Sequence, residues 1–138
     1  MRYSPDHDTI WFIFSELPNP DGSRPRLKVA FMGKRHVAFY QEMRPLIAWY
    51  RNYISEHECI DYKRGTEMLA YLVGTHIIRH WNHVWINREP MKFSVELAIS
   101  VCVAVPELIL YLIDHASNKC WFFKNIRREF YVRGSTTI

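Results

Sequence analysis

Cysteine is scarce in this chain of 138 residues: Cys59, Cys102 and Cys120 stand far apart, with no C-x-x-C pair. A disulfide framework and a cysteine zinc site are therefore not expected, and a reducing compartment fits best. Glycine and proline are also few, 5 and 7 residues, which together with a charged fraction of 23% argues against collagenous, low-complexity or disordered chains. No G-x-x-x-x-G-K-[ST], G-x-G-x-x-G or G-x-S-x-G occurs, so the common nucleotide-binding and hydrolase signatures are missing. The opening "MRYSPDHDTI" lacks the apolar run of a signal peptide, so a cytoplasmic product is expected. The longest apolar run, "VELAISVCVAVPELILYLI" (95–113), holds Glu96, Glu107 and a central Pro106, which are costly or disruptive in hydrocarbon. Two buried helices meeting at the proline are expected there, and no membrane span.

Apolar residues make up 49% of the chain, enough for one sizeable core without covalent staples. One domain over residues 1–138 is expected, with 134–138 a frayed tail. The net charge of +4 and pI near 9.1 favour acidic partners, because charge balance acts on association more than on fold.

"DTIWFIFSEL" (8–17) is rich in β-branched and aromatic residues and is closed by the turn formers "PNPDGSRP", which predicts a strand and a loop. "RLKVAFMG" (26–33) alternates Leu27, Val29 and Phe31 with Arg26, Lys28 and Ala30, the period of a half-buried strand. The two are expected to pair antiparallel. Val37, Tyr40, Ile47, Trp49 and Tyr50 follow helical spacing over 36–53, with Pro45 expected to start or kink that helix. Residues 54–65 are polar and predicted to be a connection. Thr66 can cap a helix running from Met68 to about Val84, whose stripe is Ala70, Val73, Ile77, Trp81 and Val84. The turn "NREP" follows, Ser94 can cap the next helix, and Pro106 suits the first position of another. "KCWFFKNIRREFYVR" (119–133) is read as one more helix. The class is α+β, a small N-terminal antiparallel β unit followed by a mainly α-helical C-terminal two-thirds.

His76, His80 and His83 fall at helical spacing and could converge on zinc. A zinc enzyme helix also supplies a general base, however, and Ile77, Ile78, Arg79, Trp81 and Asn82 contain none. Neither a metal nor another cofactor is expected. "DHD" (6–8) and "HEC" (57–59) hold catalytic residue types, but no spacing links them into a dyad or triad, and no enzyme is expected. Near the C-terminus Lys124, Arg127 and Arg128 alternate with Trp121, Phe122, Phe123, Phe130 and Tyr131. That mixture either neutralises phosphates and stacks bases or is a basic surface whose aromatics face the core.

"LVGTHIIRHWNHVWINREPMKFSVELAISVCVAVPELILYLIDHASNKCWFF" (72–123) resembles the tail assembly chaperones of long-tailed bacteriophages. The resemblance rests on Ile77, Ile78 and Trp81 at the end of a helix, and on a polar turn closed by Pro90 and Phe93. A helix from Ser94, the "PEL" of Pro106 to Leu108, and the break at Ala116 and Asn118 before Phe122 complete it. That family's turn usually has an acidic residue and glycine after the tryptophan, where this chain has Asn82 and His83. The resemblance implies no catalysis. It implies a protein of the infected host's cytoplasm that coats the tape measure protein, recruits tail tube subunits and self-associates, with no membrane role. Trp81, Trp85, Phe93 and Tyr111 are the candidate anchors for such partners. A small phage nucleic-acid-binding protein using Lys124, Arg127 and Arg128 is the alternative.

Overall fold

The computed structural model describes residues 3–123 and 128–132 of the chain. Strand β1 (Thr9–Phe14) pairs antiparallel with β2 (Arg26–Ala30), Ile10 opposite Val29 and Phe12 opposite Leu27, as expected. All four of those side chains are buried. On the other face of β1, the Arg26 guanidinium lies 4.9 Å over the Trp11 ring and covers it.

Helix α1 (Val37–His57) starts at His36, whose Nδ1 accepts from the Phe39 amide. Pro45 lies inside this helix rather than at its start. It sits on the solvent side, where the carbonyl deprived of its partner can reach water. The polar connection expected over 54–65 shrinks to residues 58–61. Glu58 ends α1 in the left-handed conformation, and Asp61 caps α2 (Tyr62–Leu72) by accepting from the Arg64 amide at 3.1 Å. Thr66 lies within α2 and is not its cap.

The helix expected from Met68 to about Val84 is corrected by the structure. After α2 a π-helical turn covers Val73–Ile77, and strand β3 (Ile78–Asn82) follows. Strand β3 adds to the free edge of β2, Leu27 facing Trp81 and Val29 facing Ile78, with an irregularity where Arg79 is the extra residue. A bulge breaks the two-residue alternation. Ile78 and Trp81, three apart, therefore face the core together and mimic helical spacing. Gly74 permits the turn that precedes them: a Cβ there would lie 2.7 Å from the Ile99 backbone nitrogen.

A hairpin of β4 (Trp85–Ile86) and β5 (Glu89–Pro90) is closed by Asn87 and Arg88, both at positive φ, the turn whose twist suits two short antiparallel strands. Ser94 caps α3 (Val95–Ala104), its hydroxyl accepting from the Leu97 amide at 3.1 Å, and Pro106 opens α4 (Pro106–Ala116). Both starts agree with the sequence. Among the described residues no single helix is long and apolar enough to cross a membrane; α3 and α4 together are, but they bend by 107°.

The last helix expected is also corrected. Among the described residues of 119–133, Lys119–Phe123 forms helix α5, and β6 (Glu129–Val132) is a strand parallel to β1. "EFYV" has strand propensity and alternates Phe130 and Val132 inward, so it completes the open side of β1. The sheet order is β3-β2-β1-β6. Helices α4 and α5 cover the Phe12 face, with Tyr111 and Trp121 edge-on to the Phe12 ring at 6.1 and 6.3 Å. The α+β class stands, with β3 and β6 of the four-stranded sheet and the β4–β5 hairpin contributed from the helical part of the chain. The expected frayed residues 134–138 lie outside the described residues.

Candidate binding groove

An apolar groove of about 390 Å³ opens where the sheet meets α3 and α4. Its floor is Phe14, Leu27 and Val132, contributed by three neighbouring strands. Val101, Val105, Leu108 and Tyr111 form the helical wall, and Leu17 and Trp85 also contribute to the lining. The 107° bend at Pro106 creates the wall, because it turns the end of α3 and the start of α4 toward the same space. Leu17 and Val105 are 48% and 42% exposed, so the rim presents apolar surface to solvent. Among the described residues, Glu107 is the single charged residue in the lining. Burial pushes the Tyr111 hydroxyl up to about 12, so it stays protonated and able to donate a hydrogen bond.

The structure sorts the four aromatic anchors into two kinds. Trp81 is a core residue, 3% exposed, with Nε1 donating to the Met91 carbonyl at 2.8 Å. Phe93 stands edge-on to Trp81 at 5.3 Å, so this pair supports the 84–91 hairpin from behind. Trp85 and Tyr111 line the groove. The groove's aliphatic wall, Val101, Val105 and Leu108, was not singled out by sequence reasoning. The one available signal was that an apolar stretch interrupted by proline cannot bury every side of both helices.

The three histidines do not converge. His76 is in the π-helical turn, His80 is exposed on β3 with Trp11 and Phe93 beside it, and His83 is at a left-handed position before the hairpin. Among the described residues no group of three or more His, Cys, Asp or Glu is placed to hold a metal. The structurally important histidine is His36, 2% exposed, whose Nε2 lies 2.9 Å from the His76 carbonyl. Because Nδ1 accepts from Phe39, the neutral ring carries its proton on Nε2 and donates to His76. Burial lowers its pKa. It ties α1 to the π-helical turn, a role without a signature, since histidine is not a favoured helix cap.

Of the basic candidates, Lys124 and Arg127 lie outside the described residues. Arg128 Nη1 donates to the Phe122 carbonyl at 3.3 Å, and its own carbonyl accepts from the Trp11 amide. The aromatics interleaved with it turn inward: Phe122 is buried, and Trp121 packs on Phe130 at 4.4 Å. Tyr131 is the exposed ring among them.

Comparison with protein-family models, with curated proteins and with solved structures finds no match to this chain.

Proposed function

We propose that this chain is a non-catalytic binding protein whose groove takes apolar side chains of a client. Following the resemblance of residues 72–123, the client is the tape measure protein of a long-tailed phage. The chain would then act as a tail assembly chaperone in the host cytoplasm, holding the tape measure soluble and recruiting tail tube subunits. The observation that carries the reading is an open apolar groove whose lining includes Trp85 and Tyr111. Besides the turn at Asn82 and His83, the chain departs from the family pattern where a helix ending in Ile77, Ile78 and Trp81 is here a π-helical turn and a strand. The pattern's helix from Ser94 and its "PEL" helix start correspond to α3 and α4, and the break before Phe122 falls between α4 and α5.

Energetics suit a transient holder. Burying one large apolar side chain contributes roughly 1.5–3 kcal/mol, so two give roughly 3–6 kcal/mol before the cost of association is subtracted. A single groove therefore binds weakly and releases easily. Many copies along one client hold it through avidity, which suits a partner that must leave before assembly ends.

The test is co-expression with the cognate tape measure protein. The client should become more soluble and co-purify, and Trp85→Ser with Tyr111→Ser should abolish this while the circular dichroism spectrum is kept. A client that stays insoluble with the unmodified protein refutes the reading. Steeply salt-dependent oligonucleotide binding in its place, lost in Arg127→Gln with Arg128→Gln, would favour nucleic acid as the partner.

A further inference from the structure

We propose that the groove selects a basic amphipathic helix, with apolar residues seated in the groove and lysines or arginines over Glu107 and Asp114. The inference rests on the groove being the client site. Residues 94–116, from the α3 cap to the end of α4, contain Glu96, Glu107 and Asp114 and no lysine or arginine, in a chain of net charge +4. Local charge there runs against the charge of the whole molecule. Glu107 lies in the groove lining, and Asp114 is exposed two turns further along α4. Neither carboxylate forms an ion pair or hydrogen bond among the described residues. Leu110, 62% exposed, stands between them.

Spacing favours a helix as the occupant. Seven residues at a rise of about 1.5 Å separate Glu107 from Asp114 by roughly 10.5 Å along the α4 axis. A helix lying alongside α4 meets both carboxylates with cations seven residues apart, and its apolar residues at intermediate turns then face the groove. An apolar cavity of about 150 Å³ accommodates a benzene ring. The groove, at about 390 Å³, has room for more than one bulky side chain. An acidic helix with the same apolar face would set like charges against Glu107 and Asp114, so sign discriminates where hydrophobicity cannot.

The experiment titrates the full-length protein with two fluorescent synthetic helices of identical leucine pattern, one with lysine and one with glutamate on the polar face. Anisotropy is followed at low and at high salt. The lysine peptide should bind about tenfold or more tighter than the glutamate peptide at low salt, and Glu107→Gln with Asp114→Asn should remove about that tenfold preference. Leu17→Ser with Val105→Ser, both at exposed rim positions, should weaken both peptides. Equal affinity of the two peptides overturns the charge inference, as does an unchanged preference in the Glu107→Gln, Asp114→Asn variant. If affinity is equal but the rim variant still weakens both peptides, the groove reading survives and the charge inference alone fails. Lysine-peptide binding that is indifferent to the rim variant also overturns the proposal, because the cations would then be held outside the groove.

Discussion

Replacing Gly74 with alanine tests the contact on which the groove wall depends. A Cβ at this position would lie 2.6 Å from Ile99 Cγ1, 2.7 Å from its nitrogen and 2.9 Å from its Cα. Two of those atoms are α3 backbone and cannot swing aside. Carbon atoms settle at about 3.5–4.0 Å, so α3 must retreat from the π-helical turn by roughly 0.5–1 Å. Overpacking of this kind costs about 1–3 kcal/mol, against a gain of about 0.5–1 kcal/mol for alanine over glycine in a helical segment. Because two of the clashes are with backbone, the upper part of that cost, about 2–3 kcal/mol, applies, and the net expectation is a loss of about 1–2.5 kcal/mol, or roughly 3–12 °C in Tm for a domain of this size. Urea unfolding followed by circular dichroism reads it as a lower midpoint at unchanged slope. Client or peptide affinity should fall as well, because Val101 lies on α3 and Val105 caps its end. Gly22 is the control: its φ is +86° and nothing lies within 4 Å of an added Cβ. Gly22→Ala should cost about 1–2 kcal/mol through backbone strain and leave affinity unchanged. If Gly74→Ala is as stable as the parent protein, the close approach of turn and helix is wrong.

Ser94→Ala removes the oxygen that accepts from Leu97 and should destabilise by about 0.5–2 kcal/mol in the same urea assay, whereas Thr66→Ala, inside α2, should change stability by less than about 0.5 kcal/mol. Trp81→Phe keeps much of the ring packing but leaves the Met91 carbonyl without its donor, so a loss of about 1–3 kcal/mol is expected. His36 titrates below the ordinary histidine value of 6.5 because burial disfavours its cation, so the unfolded chain takes up a proton at higher pH than the folded one. Its contribution is full above pH 6.5 and is lost as pH falls toward the folded pKa. Urea midpoints from pH 7.5 to 5 should therefore decline less steeply in His36→Asn than in the parent, and identical slopes would refute the assignment. Burial pushes the Cys102 thiol up to about 12, so alkylation of the native protein should label exposed Cys59 and spare Cys102 until urea is added.

What could be read without coordinates was local. Strands β1 and β2, the Ser94 cap, the Pro106 helix start and the turn at 87–90 each follow from a short-range preference: alternation, a capping hydroxyl, a ring-fixed φ, a turn-forming pair. The sorting of Trp81 and Phe93 into support and Trp85 and Tyr111 into groove could not be read. All four are large apolar residues, and burial depends on what lies opposite.

The sequence alone determined the α+β class, the break of the long apolar run at Pro106 and the lack of the common catalytic signatures, because composition, proline geometry and motif content need no partner. Tertiary structure alone decided the state of 78–82 and 129–132. Each lies beside an open edge of the β1–β2 pair, and unpaired strand edges recruit any segment that can satisfy their amides and carbonyls. In 78–82 an extra residue at Arg79 made a strand carry helical spacing, so periodicity pointed one way and the vacant edge of β2 decided the other. That same outcome separated His76, His80 and His83, and it left the groove, rather than the histidines, as the site we propose for a partner.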